Sequence, residues 1–383
     1  MDFQLTEEQR AIRDMVHDFA ENEIVPRAGE IDRTDEHPAD LFRKMGENGL
    51  MGVPFPEQYG GAGADTLSQA LAIEEVSRAS GSVGLTYAAH LSLGCAPLYM
   101  FGADAQKKKW LVPLAKGEAL GALALTEAKG GSDLAGSVTT TALLKGDEWI
   151  INGSKMYVTS GAVARSTIAL CITDKGKGHR GLSMIIIPHD APGLVVGKVE
   201  EKMGLHGSLT TQVFFEDCRV PKENLLGPEG AGFRQAMMTL DGGRIGIGAM
   251  ALGLGRAALE ASIKYAQERT AFGSPIANFQ AIQWMIADST MELEAARLLV
   301  ARAAVLKDRQ QPFSTEAAMA KLYASEAADR ACWKAIQVHG GAGYLRDFPV
   351  ERFYRDNRLT LIGEGTNEIL RMVIARNVLR ANA

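Results

Sequence analysis

The feature that most limits what this chain can fold into is a double change of hydrophobic period, from helical to alternating and back to helical. Thr6 and Gln9 form a T-x-x-Q capping box, and Ile12, Met15, Val16 and Phe19 then fall on one helical face. Pro26 is expected to end that helix. Helical text continues to about Leu114, broken by the turn-rich residues 54–63 and by Ser80-Gly81-Ser82. After about Gly121 the chain changes to short β-branched runs. Val138-Thr139-Thr140-Thr141 leads to Lys145-Gly146-Asp147-Glu148, and Trp149-Ile150-Ile151 runs into Asn152-Gly153, which predicts a hairpin there. Residues 168–172, 184–187 and 212–215 read as further strands. From about Gly232 the helical period returns: Ile282, Ile286, Leu293, Ala296 and Val300 keep one apolar stripe, and Ser314 opens a helix running towards His339. The expectation is an α+β multidomain chain with an all-α domain over residues 1–120, a barrel-like or sandwich β domain over 121–231, and a helical bundle over 232–383.

Charge and cysteine usage narrow the function. A net charge of −5 with both signs interspersed offers no basic field for nucleic acid or an anionic membrane. Cys95, Cys171, Cys218 and Cys332 are scattered without a C-x-x-C, and the histidines never pair at metal spacing, so free thiols and no metal site are expected. The first residues turn directly into a charged helix and no apolar run approaches a membrane span, which points to a cytoplasmic protein.

Glycine-rich text at Gly246-Ile247-Gly248 and Gly253-Leu254-Gly255 mimics a dinucleotide fingerprint, but no strand precedes it; close helix packing is the favoured reading. Two other segments carry more. Residues 123–133 (LALTEAKGGSD) form a glycine-containing loop whose amides and hydroxyls can approach a phosphate or a flat polar ring. Residues 362–369 place Glu364 between two glycines just before a helix start, where its own N–H is free to donate. Alone, the first reads at least as well as a plain connecting loop, and the second reads more readily as a solvated cap.

Taken together, Pro56-Glu57-Gln58-Tyr59-Gly60-Gly61, Thr126-Glu127 with Gly131-Ser132-Asp133, Asn152-Gly153-Ser154-Lys155, Glu268-Arg269-Thr270-Ala271-Phe272-Gly273, Gln337-Val338-His339-Gly340-Gly341 and Glu364-Gly365-Thr366 resemble the acyl-CoA dehydrogenase family. The motifs run in order over nearly the whole chain. Thr239-Leu240-Asp241 and Gly243-Arg244-Ile245-Gly246-Ile247 are most similar to short-chain, butyryl-CoA-type members.

The resemblance implies an N-terminal α domain, a central β-barrel-like domain and a C-terminal four-helix bundle, assembled as a homotetramer with one FAD per subunit. It assigns Leu125, Thr126, Gly131 and Ser132 to the flavin ring and pyrophosphate, and Tyr157, Val158 and Thr159 to the other side of the ring. Arg269, Phe272, Gln280, Gln337 and Gly341 would reach the FAD of a neighbouring subunit, with Thr366 and Glu368 completing the contacts. Ser132, Asp241, Arg244 and Gly365 would face the acyl-CoA thioester. Glu364 would be the base that takes the α proton, its N–H bonding the thioester oxygen, with electrons leaving to electron-transfer flavoprotein. The helix start beside Glu364 favours its charged form, and burial is expected to win once substrate expels water.

Some members place the base at the position that here is Gly243, which cannot remove a proton. The chain departs from many relatives in having Ala128-Lys129 for Pro-Gly, Tyr157 for tryptophan, and Gly363 for a tyrosine just before the base. An acyl-CoA oxidase-like activity, a DNA-binding protein built on the same fold, and a flavin-free structural bundle stand as alternatives.

Overall fold

The computed structural model describes residues 4–381. Helix α1 (Glu7–Phe19) begins at the expected capping box, with both reciprocal bonds formed between Thr6 and Gln9. Pro26 does not end the helical path. A π turn (Ala20–Ile24) intervenes, and Pro26 stands in the first turn of α2 (Val25–Thr34), where its missing N–H is no loss. After α3 (Ala39–Glu47), α4 (Thr66–Ala79) and α5 (Gly81–Ala89) are buried on almost every side. That explains their weak amphipathic signal: a helix enclosed all round needs no polar face.

The middle of the chain is one eight-stranded sheet: β1 (Leu120–Ala124), β2 (Thr141–Lys145), β3 (Glu148–Thr159), β4 (Ala164–Ile172), β5 (Leu182–Pro188), β6 (Leu194–Val199), β7 (Thr210–Pro221) and β8 (Leu225–Leu226). Its order is β6-β7-β3-β2-β4-β5-β8, with β1 lying parallel to β4. The hairpin expected at Asn152-Gly153 is absent. The chain turns instead at Gly146-Asp147, pairing Lys145 with Glu148, and β3 runs straight through Asn152-Gly153. That pair is absorbed as a bulge: the β3–β7 register shifts there, and the Asn152 amide donates to the Asp217 carboxylate (3.0 Å) while accepting from the Asp217 N–H (2.9 Å). Gly153 is required, because its φ is 142° and a Cβ would come within 2.6 Å of the Thr140 hydroxyl.

The C-terminal part is built on α6 (Gly232–Glu268), followed by α7 (Gln280–Asp308), α8 (Ser314–His339), α9 (Val350–Asn357) and α10 (Asn367–Ala381). The apolar stripe expected on α7 is only half used inside the chain: Leu293, Ala296 and Val300 are buried, but Ile282 and Ile286 are half-buried. The glycine-rich text of α6 is a packing surface. A Cβ at Gly248 would press on Val300, one at Gly255 on Leu293 and Ala328, and one at Gly253 would come 2.3 Å from the Glu74 carbonyl oxygen of α4. Ion pairs reinforce this approach. Arg256 reaches buried Glu74 (2.9 Å) and Glu75 (2.6 Å), and Arg297 reaches Glu74 (2.8 Å). All three parts of the chain meet where Asp32 of α2 binds Arg355 (2.7 Å) and His206 (3.0 Å). Among the described residues no helix is long and apolar enough to cross a membrane, and the four cysteines are free and buried.

Gly253→Ala is therefore expected to destabilise the fold by about 1–3 kcal/mol, the cost of overfilling a packed contact. Urea unfolding measures it, and an unchanged midpoint would contradict the close approach of α6 to α4.

Candidate active site

Glu364 lies in a turn between a short 3-10 segment (Arg358–Leu361) and α10. Gly363 closes the segment by donating to the Leu359 carbonyl (2.8 Å), and then two successive residues, Glu364 (φ 56°) and Gly365 (φ 101°), are left-handed. A glutamate held there costs on the order of 1 kcal/mol or more and persists only if neighbours enforce it. Two buried cations do so: Arg244 Nε reaches the Glu364 carbonyl (3.4 Å), and Lys321 Nζ donates to the Gly365 carbonyl (2.9 Å) and to Asn367 Oδ1 (3.0 Å). Arg244 is itself bound to Asp241 (2.6 Å), which accepts from the Ser314 hydroxyl (3.0 Å). The turn leaves the Glu364 N–H without an acceptor among the described residues.

The carboxylate of Glu364 folds back onto α6. A Cβ at Gly243 would stand 1.9 Å from Glu364 Oε2, so the absence of a side chain at 243 makes the space the carboxylate occupies. Although the residue as a whole is only half-buried, Oε2 is shut away from solvent and has no hydrogen-bond partner among the described residues. Burial pushes the carboxyl up to about 7, against the opposing pull of Arg244 and Lys321. Burial thus outweighs the helix start in the free protein, before any substrate enters. The arrangement is a proton acceptor poised near neutrality beside a free N–H donor.

Lys321, given no role by the sequence reading, is fully buried on α8, and burial pushes its ammonium down to about 7. Its signal was present: it stands in helical register with Ala317, Ala324 and Ala328, all buried, so a lysine interrupts an otherwise apolar face.

A second constellation forms at residues 125–132. Lys155 of β3 is fully buried, with Nζ on Glu127 (2.8 Å) and on the Leu125 carbonyl (3.1 Å), while Glu127 also accepts from the N–H groups of Thr139 (2.8 Å) and Thr140 (3.0 Å). Burial by itself would raise the Glu127 carboxyl, but Lys155 and these donors hold it at about 2. The loop is clamped to β3 as well by Met156 N–H on the Thr126 carbonyl (2.8 Å). Beside the clamp the β3–β7 register shifts between Lys155 and Val158, which lifts Tyr157 (φ 56°) out of the ladder with its ring 64% exposed. The Thr126 and Ser132 hydroxyls have no protein partner among the described residues, and a Cβ at Gly131 would meet only the Thr126 side chain at 3.5 Å. An open face of unpaired donors next to an exposed flat ring fits a planar heteroaromatic ligand with a phosphate tail. Val158 takes no side-chain part in that face; it is buried in the sheet core.

The profile of acyl-CoA dehydrogenase N-terminal domains matches residues 6–118, that of middle domains 122–218 and that of C-terminal domains 230–379. A probable acyl-CoA dehydrogenase of Bacillus subtilis, YngJ, is 54% identical over 99% of this chain and 100% of its own length. The chain belongs to the acyl-CoA dehydrogenase family. Among solved structures, butyryl-CoA dehydrogenase from Megasphaera elsdenii superposes with a TM-score of 0.97 at 43% identity, covering 99% of this chain and 100% of that one. A chain from the structure of the electron transferring flavoprotein of Acidaminococcus fermentans gives 0.98 at 48% identity, with coverages of 99% and 100%. An acyl-CoA dehydrogenase complexed with FAD from Bacillus anthracis gives 0.92 at 35%, covering 98% of this chain and 67% of that one.

In this acyl-CoA dehydrogenase family member the other expected residues fall into two groups. Thr366 caps α10 through the Ile369 N–H (3.4 Å), and Glu368 lies exposed in its first turn, held low by the backbone N–H there. Arg269, Phe272, Gln280, Gln337 and Gly341 cluster elsewhere. Tyr265 stacks on His339 (4.2 Å), joining the ends of α6 and α8 and so bringing these five residues to one end of the bundle. Along α8 that end lies about 27 Å from Lys321. One chain therefore does not gather them around Glu364. Phe272 itself tips the hairpin of β9 (Thr270–Ala271) and β10 (Ser274–Pro275) at φ 50° and 99% exposure.

Glu127→Ala strands a buried ammonium, and a loss of about 3–5 kcal/mol is expected, the usual cost of breaking a buried pair from one side. Because the carboxyl is depressed, the ion pair stabilises the fold above roughly pH 4.3 and is lost as pH falls towards 2. Acid unfolding of the variant should be correspondingly shallower over that interval by circular dichroism.

Proposed function

We propose that this chain is a FAD-dependent dehydrogenase that converts a short- to medium-chain acyl-CoA to its trans-2-enoyl-CoA, with Glu364 as the base. The observation that carries the reading is the buried Oε2 of Glu364 beside the residue's own N–H, both without a partner among the described residues. A saturated acyl chain offers no polar handle, so the α proton must be made acidic at the thioester. The Glu364 N–H is the chain's donor to the thioester oxygen as negative charge builds on it, and the carboxylate takes the α proton. FAD, when bound, supplies the acceptor for the hydride that leaves the β carbon.

The residues that would hold FAD are Leu125, Thr126, Gly131 and Ser132 on the clamped loop and Tyr157, Val158 and Thr159 on β3, Val158 through its backbone. Thr366 and Glu368 complete this set. Arg269, Phe272, Gln280, Gln337 and Gly341 would serve the FAD of a neighbouring subunit in a homotetramer. Their distance from Glu364 and the exposed left-handed Phe272 support that division. Exposed Trp284 and Met291 on α7 supply apolar surface for assembly. Asp241, Arg244, Ser132 and Gly365 would line the thioester side, Arg244 acting through the turn it supports. Electron-transfer flavoprotein is the proposed acceptor, and the buried free thiols suit a cytoplasmic setting.

Glu364→Gln is expected to retain bound FAD and acyl-CoA while losing at least roughly 10²-fold in kcat. In the wild type kcat/KM should rise with pH through a midpoint of about 7, since the base works only when ionised. A colourless preparation with full activity, or wild-type turnover in the variant, would sink the assignment.

Gly363 determines the space beside the base. The nearest atoms a Cβ there would meet belong to Leu359, at 3.5–3.9 Å, which is ordinary contact, so a Cβ can be added without moving the turn. With glycine, methyl-branched acyl groups are expected to be accepted beside straight ones. Gly363→Tyr should shift the kcat/KM ratio of isobutyryl- to butyryl-CoA against the branched substrate by a methyl-sized increment, about 1–3 kcal/mol. Unchanged ratios would refute this account of the pocket.

A further inference from the structure

Lys321 is among the largest fully buried side chains of the molecule. An ammonium without water must find acceptors, and a methionine or leucine would fill the same volume without that cost. Among the described residues it forms no ion pair. Its two bonds go to the Gly365 carbonyl (2.9 Å) and to Asn367 Oδ1 (3.0 Å), and Asn367 is in turn tied to Ser325 of α8 (3.0 Å). Both acceptors belong to the base's own turn, one and three residues beyond Glu364. The charged groups that face the ammonium are Glu364, Glu368, Glu326 and Arg244, and those that face the Glu364 carboxylate are Arg244 and Lys321.

A left-handed glutamate has a right-handed alternative open to it. In the right-handed form the 364–365 peptide would rotate, the Gly365 carbonyl would leave Lys321, and the carboxylate would swing away from the recess over Gly243. We infer that Lys321 is a positioning residue for proton abstraction: its ammonium pins the Gly365 carbonyl and thereby holds the Glu364 carboxylate and N–H in their working places. This rests on the reading of Glu364 as the base. Its second effect is electrostatic: burial draws the lysine itself down to about 7, and while it holds its proton the cation in that low-dielectric pocket favours the ionised form of the carboxylate.

The test combines steady-state kinetics on the FAD-loaded enzyme with infrared difference titration of the Glu364 carboxylate, its band assigned by its loss in Glu364→Gln. Lys321→Met keeps the stem and removes donor and charge. It is expected to lower kcat about 10-fold or more, with KM for butyryl-CoA changed by no more than about threefold, and to move the Glu364 midpoint to higher pH. Lys321→Gln, a milder replacement that keeps an N–H donor without the charge, should retain more of kcat while shifting the midpoint the same way. It also serves where the methionine variant folds poorly. A midpoint unmoved in a folded variant, with kcat lost only in proportion to folded protein, makes Lys321 a structural residue and overturns the inference. Wild-type turnover in Glu364→Gln would instead remove the base assignment, whatever the lysine variants do.

Discussion

The molecule depends on how closely other elements can approach α6. At four of its close contacts α6 has a glycine: Gly253 against α4, Gly248 and Gly255 against α7 and α8, and Gly243 against the Glu364 carboxylate. Close contact of this kind gathers dispersion along the helix, and an added methyl group would press on the facing atoms. It also brings charged groups of different helices within reach of each other. The Arg256 and Arg297 pairs with Glu74 and Glu75 and the contact of Arg244 with the Glu364 carbonyl follow from that proximity.

The two buried lysines show one device used twice. Lys155 and Lys321 both place an ammonium where no water reaches, and both use it to hold a main-chain carbonyl of a loop that the site needs in one conformation: Leu125 in one case and Gly365 in the other. Loops offer few apolar contacts, so packing alone fixes them poorly. A buried cation fixes them strongly because losing its acceptor is so unfavourable. The difference lies in the counter-charge. Lys155 has Glu127 in direct contact, whereas Lys321 bonds no carboxylate among the described residues and remains responsive to the ionisation of Glu364.

Much of this was legible in the sequence, for reasons that can be named. The double change of period located the helical, β and helical parts because amphipathic surfaces leave their spacing in the text, and the capping box at Thr6 and Gln9 is local chemistry that depends on nothing distant. Pro26 and Asn152-Gly153 misled because each is a local signal overridden by its setting: a π turn makes a proline an opening residue, and pairing with Asp217 turns a hairpin dipeptide into a bulge. In the candidate site, Glu364 and the 125–132 loop were visible as motifs. For Gly243 and Lys321 the sequence offered only an absent side chain and a lysine on an alanine-rich face; what each does lies in tertiary proximity. A glycine matters there for what stands beside it, and a lysine for the carbonyl it reaches.

The contact between Gly243 and Glu364 also restricts how this catalyst could have been altered by mutation. Positions 243 and 364 share one volume, large enough for a single carboxylate. A side chain brought in at 243 would meet the Glu364 carboxylate in the same recess. Filling the recess from α6 therefore calls for a paired change at both positions.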